Sequence, residues 1–126
     1  MDINRLFNID GKTALITGGS RGIGEMIAAG FLANGVKVYI TARKEAPLIE
    51  KAKELSEKFS GECIAIPCDL SNMEGIQKLA SDYLNHEDSL DILVNNAGAA
   101  WGEPYENFSE KAVSYTHLTL PTNSRV

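Results

Sequence analysis

One stretch limits what this chain can fold into more than any other: Thr17-Gly18-Gly19-Ser20-Arg21-Gly22-Ile23-Gly24. It follows the short apolar run Thr13-Ala14-Leu15-Ile16-Thr17, which ends at glycines and so reads as a buried strand. It opens a segment from Gly22 to Asn34 that carries Ile23, Ile27, Gly30 and Phe31 at helical spacing, and Asn34-Gly35 stops that helix. Gly18 permits a tight turn that a Cβ would obstruct. Gly22 lets backbone come close to a phosphate, and Gly24 lets helix pack against strand. The free N–H groups and the positive dipole end of the helix then face an anion. A P-loop is excluded, because no Lys-Ser or Lys-Thr follows at the required place.

The apolar period keeps switching beyond this point. Lys37 to Thr41 is a second β-rich run. Leu48, Ala52, Leu55 and Phe59 then form a helical stripe, with Pro47 in its first turn and Gly61 just past its end. Cys63 to Pro67 reads as a third strand, and Ser71-Asn72-Met73-Glu74 has the spacing of a capping box. Ile76, Leu79, Ala80, Tyr83 and Leu84 follow on one helical face, and Leu90 to Val94 is a fourth strand. Strand alternating with helix predicts an α/β protein: a Rossmann-type, doubly wound parallel sheet of about four strands in the order 3-2-1-4. No internal repeat or linker interrupts it up to Ala112.

Composition restricts the ligands. The net charge of -5 provides no basic field for nucleic acid or anionic lipid, so a phosphate must be held by local geometry. No run approaches the roughly 20 apolar residues of a membrane span. The first dozen residues show no secretory pattern, and Cys63 and Cys68 have neither redox nor zinc spacing. A cytoplasmic protein with two buried thiols is expected. His86 and His117 have no partners at metal-ligand spacing, and no metal site is expected.

The end of the second strand narrows the ligand further. A dinucleotide fold meets the adenine ribose there, about 20 residues past the glycines, and an enzyme using NAD offers Asp or Glu at that point. This chain reads Thr41-Ala42-Arg43-Lys44. Arg43 can present a planar fork to a 2′-phosphate, with Arg21 reaching it from the glycine loop. The expected cofactor is NADP(H). A methyltransferase binding S-adenosylmethionine also places glycines after a first strand, and the Arg43 position argues against it.

Three motifs in order, Thr17-Gly18-x-x-x-Gly22-x-Gly24, Asp69-Leu70 and Asn95-Asn96-Ala97-Gly98, resemble the short-chain dehydrogenase/reductase family over roughly residues 8–112. The resemblance implies a cofactor site of Thr17, Gly18, Ser20, Arg21, Gly22, Ile23, Gly24, Arg43, Asp69, Leu70, Asn95, Asn96, Ala97 and Gly98. In it Asp69 meets the adenine amino group, and Leu70 holds the ring through its backbone. An asparagine of the last motif ties loop to sheet. The run Asn96-Ala97-Gly98-Ala99-Ala100-Trp101-Gly102 is similar to a subgroup of bacterial β-ketoacyl reductases that includes the rhamnolipid-pathway reductase. The implied activity is hydride transfer between NADP(H) and a small carbonyl or alcohol substrate, in a homo-oligomer. A non-catalytic NADP(H) sensor on the same fold is the alternative.

The family's chemistry uses a Ser and a Tyr-x-x-x-Lys pair for general acid catalysis beside the hydride. Tyr39, Tyr83, Tyr105 and Tyr115 are followed at the fourth position by Arg43, Glu87, Ser109 and Thr119, none of them Lys. No catalytic residue is therefore expected in this chain. Val113 to Thr122 looks like one translated frame of a common transposase-end sequencing adapter, so residues 1–112 are expected to form the native segment and 113–126 an appended tail. The fourth strand, left as an edge, predicts poor solubility of the isolated chain.

Overall fold

The computed structural model describes residues 3–20 and 22–96. Four parallel strands, β1 (Thr13–Thr17), β2 (Lys37–Ala42), β3 (Cys63–Pro67) and β4 (Ile92–Val94), form one sheet in the order β3-β2-β1-β4. A short helix α1 (Ile3–Leu6) precedes β1. Helix α2 (Gly22–Ala33) joins β1 to β2, α3 (Glu45–Phe59) joins β2 to β3, and α4 (Met73–Leu84) joins β3 to β4. The expected Rossmann-type order is the observed one.

Alternating side chains divide the strands between two cores. Ala14, Ile16, Val38 and Ile40 face α2 and α3, where Ala28, Leu32, Leu48, Ala52 and Leu55 meet them. Leu15, Tyr39, Ile66 and Leu93 face the other way, onto Ile76, Leu79 and Tyr83 of α4. A sheet covered on both faces explains why the strands read as continuous apolar runs. Each fully buried Leu or Ile stabilises the fold by about 1.5–3 kcal/mol. No helix among the described residues is long and apolar enough to cross a membrane.

Several local expectations shift by a residue or two. The buried stripe of α2 is Gly24, Ala28 and Leu32, whereas Ile23 is 69% exposed. The helix turns this way because Gly24 lies so close to the glycine loop that a Cβ would overlap the Gly18 carbonyl. The cap of α4 is Asn72, whose side chain accepts the Gly75 N–H at 2.7 Å; Ser71 instead donates its N–H to the Asp69 carboxylate. Leu84 is exposed at the end of that helix. At the end of α3, Ser60 takes the left-handed conformation one residue before Gly61. Strand β4 starts at Ile92 and not at Leu90, because the Asp91 carboxylate accepts the Thr13 N–H at 2.9 Å and caps the start of β1.

Candidate functional site

The C-terminal ends of the four strands converge on one edge of the sheet, where open α/β folds bind ligands. Thr17 ends β1, and the chain turns at Gly18 with φ +72°. The Gly18 N–H donates to the Thr41 carbonyl at 2.9 Å, which seats the glycine loop on the end of β2. Gly19 lies over Ile40, where a Cβ would overlap the Ile40 side chain. Gly22 has φ +61°, and among the described residues nothing stands within 4 Å of where a Cβ would be. It leaves the start of α2 free for an anion to approach the helix N-terminus. Gly18, Gly22 and Gly24 thus occupy positions suited to turn, approach and packing.

The loop is also tied to β4. The buried Thr17 hydroxyl donates to the Val94 carbonyl at 3.3 Å and accepts the Asn96 N–H at 2.8 Å. The Asn96 side chain donates to the Gly18 carbonyl at 3.2 Å. Thr17 and Asn96 therefore act as a brace between the first and fourth strand ends. Asn95 beside them is exposed.

Arg43 is exposed on a bend between β2 and α3. Beyond β3 the Cys68 N–H donates to the Ala42 carbonyl at 3.0 Å, which holds the third strand end against the second. Asp69 follows, exposed, with its carboxylate accepting the Ser71 N–H at 2.9 Å. The Leu70 side chain is buried in the α4 core. Ser20 is half-buried and Ile23 exposed at the loop and the first turn of α2. Arg21, Ala97 and Gly98 lie outside the described residues, as do Trp101 and the segment 113–126.

Three residues of this edge escaped sequence reasoning. Gly19 was hidden among its neighbouring glycines, although only glycine fits over Ile40. Gly75 must be glycine because a Cβ would overlap the Asp69 carbonyl, and a glycine in the first turn of a helix gives no sequence signal of that contact. Asn72 was legible as a favoured N-cap type but was outranked by the capping-box spacing from Ser71. Both cysteines are buried, and burial pushes the Cys63 thiol up to about 12 and the Cys68 thiol up to about 11, so neither is a nucleophile at neutral pH.

The profile of the short chain dehydrogenase family matches residues 12–120, reaching past Ala112 into the expected tail. The chain is 47% identical over 102 residues to the rhamnolipids biosynthesis 3-oxoacyl-[acyl-carrier-protein] reductase of Pseudomonas aeruginosa, covering 81% of this chain and 39% of that protein. It is 42% identical over 91 residues to a fatty acyl-CoA reductase of Acinetobacter baylyi, covering 72% and 30%. Among solved structures, the RhlG/NADP active-site complex of Pseudomonas aeruginosa superposes with a TM-score of 0.78 at 43% identity, covering 88% of this chain and 44% of that one. L-sorbose reductase from Gluconobacter frateurii, complexed with NADPH and L-sorbose, gives 0.76 at 34% identity, covering 86% and 41%. The chain thus spans less than half the length of each of these relatives. With the glycine loop at the end of β1 in a sheet of the expected order, and with these matches, the chain belongs to the short chain dehydrogenase family.

Proposed function

We propose that this chain binds NADP(H) along the C-terminal edge of its sheet and forms the cofactor-binding part of an oxidoreductase that reduces a carbonyl to an alcohol. The observation that carries the reading is the Gly18–Thr41 hydrogen bond, which joins the glycine loop to the strand that delivers Arg43. The backbone of Ser20 and of Gly22 to Gly24 would hold the pyrophosphate at the start of α2, and Arg43 would pair with the 2′-phosphate in a charge-assisted contact. Asp69 would accept from the adenine amino group, and Asn95 and Asn96 would lie on the nicotinamide side. The bound nicotinamide supplies the hydride.

The family relatives support a 3-oxoacyl thioester as the substrate class, since the 47%-identical reductase named above acts on that group. Because no Tyr-x-x-x-Lys stands in the 126 residues, this chain is expected to bind cofactor without turning over substrate. The complete protein, with residues 1–112 as the N-terminal part of its cofactor-binding domain and 113–126 as an appended tail, would carry the catalytic set and self-associate. Re-sequencing the gene past codon 112 tests that division: a downstream Ser and Tyr-x-x-x-Lys support it, and a verified stop after Val126 contradicts it.

Calorimetric titration with NADPH and NADH tests the cofactor assignment. One charge-assisted contact of about 1.5–3 kcal/mol favours NADPH by roughly ten- to a hundredfold. Arg43→Asp is expected to remove that preference and tighten NADH. Equal NADPH dissociation constants before and after the change would overturn the assignment.

A further inference from the structure

The two halves of the proposed phosphate site are carried by two helices. Helix α2 begins at Gly22, directly after the glycine loop, and α3 begins at Glu45, just after Arg43. Beneath them the helices share apolar packing through Ala28, Leu32, Leu48, Ala52 and Leu55. That packing is non-directional. A charged contact adds direction. Lys51 Nζ of α3 lies 2.8 Å from Glu25 Oε1 of α2 and 3.0 Å from Glu54 Oε2 of its own helix. Among the described ion pairs, Lys51–Glu25 is the one that joins α2 to α3. The Lys51 side chain is only 22% exposed and that of Glu25 33%, so water screens this pair less than it screens the 58%-exposed Glu54.

Glu25 also has an electrostatic consequence. It stands in the first turn of α2, one residue past Gly24, where the helix dipole favours a negative charge. A phosphate held at the same helix start competes for that potential and is repelled by an uncompensated carboxylate. Lys51 supplies the compensation, and Glu25 and Glu54 in turn raise the Lys51 pKa above its ordinary value, so the cation stays charged.

Resting on the NADP(H) reading above, we propose that Glu25 and Lys51 are a positioning pair that fixes the spacing between the glycine loop and Arg43 and so sets discrimination for the 2′-phosphate. Neither residue touches the cofactor. They act through the placement of α2 against α3.

The test is the ratio of NADPH to NADH dissociation constants in the 126-residue protein, with circular dichroism to verify folding. Lys51→Met keeps the aliphatic stem and removes the charge. It is expected to weaken NADPH about three- to tenfold while NADH changes less than about twofold, the scale of a partly screened pair. Lys51→Arg, which keeps the charge, is expected to hold NADPH binding near the starting value. Glu54→Gln is expected to leave both constants alone. Equal weakening of NADPH and NADH by Lys51→Met, or no weakening, overturns the proposal. The reading beneath it fails separately, if the unaltered protein does not prefer NADPH or if Arg43→Asp leaves the preference in place.

Discussion

The two ends of the sheet are built on opposite plans. At the N-terminal end, side chains close the structure. Lys37 pairs with Glu87 at 3.1 Å and Glu62 at 3.5 Å. Tyr39 and Tyr83 stack edge to face at 5.0 Å, and the Tyr83 hydroxyl donates to the Ser89 carbonyl. Asp91 caps β1 by accepting the Thr13 N–H. At the C-terminal end, backbone and glycine dominate. Gly18 and Gly22 turn through left-handed conformations, Gly19 and Gly24 sit where a Cβ would overlap a neighbour, and Arg43, Asp69 and Asn95 stand exposed. Where side chains bond one another a fold gains stability; where they are withheld, backbone donors remain for a ligand. The difference separates the end that side chains close from the end at which NADP(H) binding is proposed.

The largest expected effect tests the closed end. Tyr83→Ala removes a 4%-exposed ring from the α4 core and the bond to Ser89. It is expected to lower the unfolding free energy by about 3–5 kcal/mol in urea titrations, with little change in the NADPH affinity of the folded fraction. Gly24→Ala makes the reverse cut. Its Cβ overlaps the Gly18 carbonyl and stands 2.6 Å from Asn96 Nδ2, so stability is expected to fall by about 1–3 kcal/mol and NADPH binding to fall with it. If Tyr83→Ala weakened NADPH as strongly as Gly24→Ala did, the division between the two ends would collapse.

A further effect concerns pH. Burial pushes the Cys63 thiol from 9.0 up to about 12 and the Cys68 thiol up to about 11. The unfolded chain therefore loses these protons first. Stability is intact below pH 9.0 and falls as the pH rises through about 11, the Cys68 value, toward about 12. Urea titrations at intervals between those limits should show the decline, and a Cys63→Ala/Cys68→Ala variant should show a shallower one. The smallest effect is at the Lys37 pair, whose lysine is 34% exposed; Lys37→Met is expected to cost about 0.2–1 kcal/mol and to leave the NADPH dissociation constant unchanged.

Much of this division was legible in the sequence. The strand order followed from the alternation of apolar periods, and β1 and β3 begin and end where the apolar runs do. Glycine spacing after β1, and Arg43 in place of a strand-end acid, are the sequence signs of the proposed cofactor end. What was not legible depends on contacts distant in sequence. The side of α2 that is buried is fixed by Gly24 against Gly18 and Asn96, the start of β4 by Asp91 reaching Thr13, and the need for Gly75 by the Asp69 carbonyl. Local periodicity carries no record of such pairs. The closed end was missed for the same reason: Lys37, Tyr39, Tyr83 and Glu87 come from separate elements and form no motif.

The central claim, that the glycine-rich end of the sheet is the NADP(H) site, is tested most directly by amide hydrogen exchange with and without NADPH. The account predicts slowed exchange at Gly18–Gly24, Leu70 and Asn95–Asn96, with no change around Lys37, Tyr83 and Glu87. Protection confined to the Lys37–Glu87 end, or absent at saturating NADPH, would contradict it.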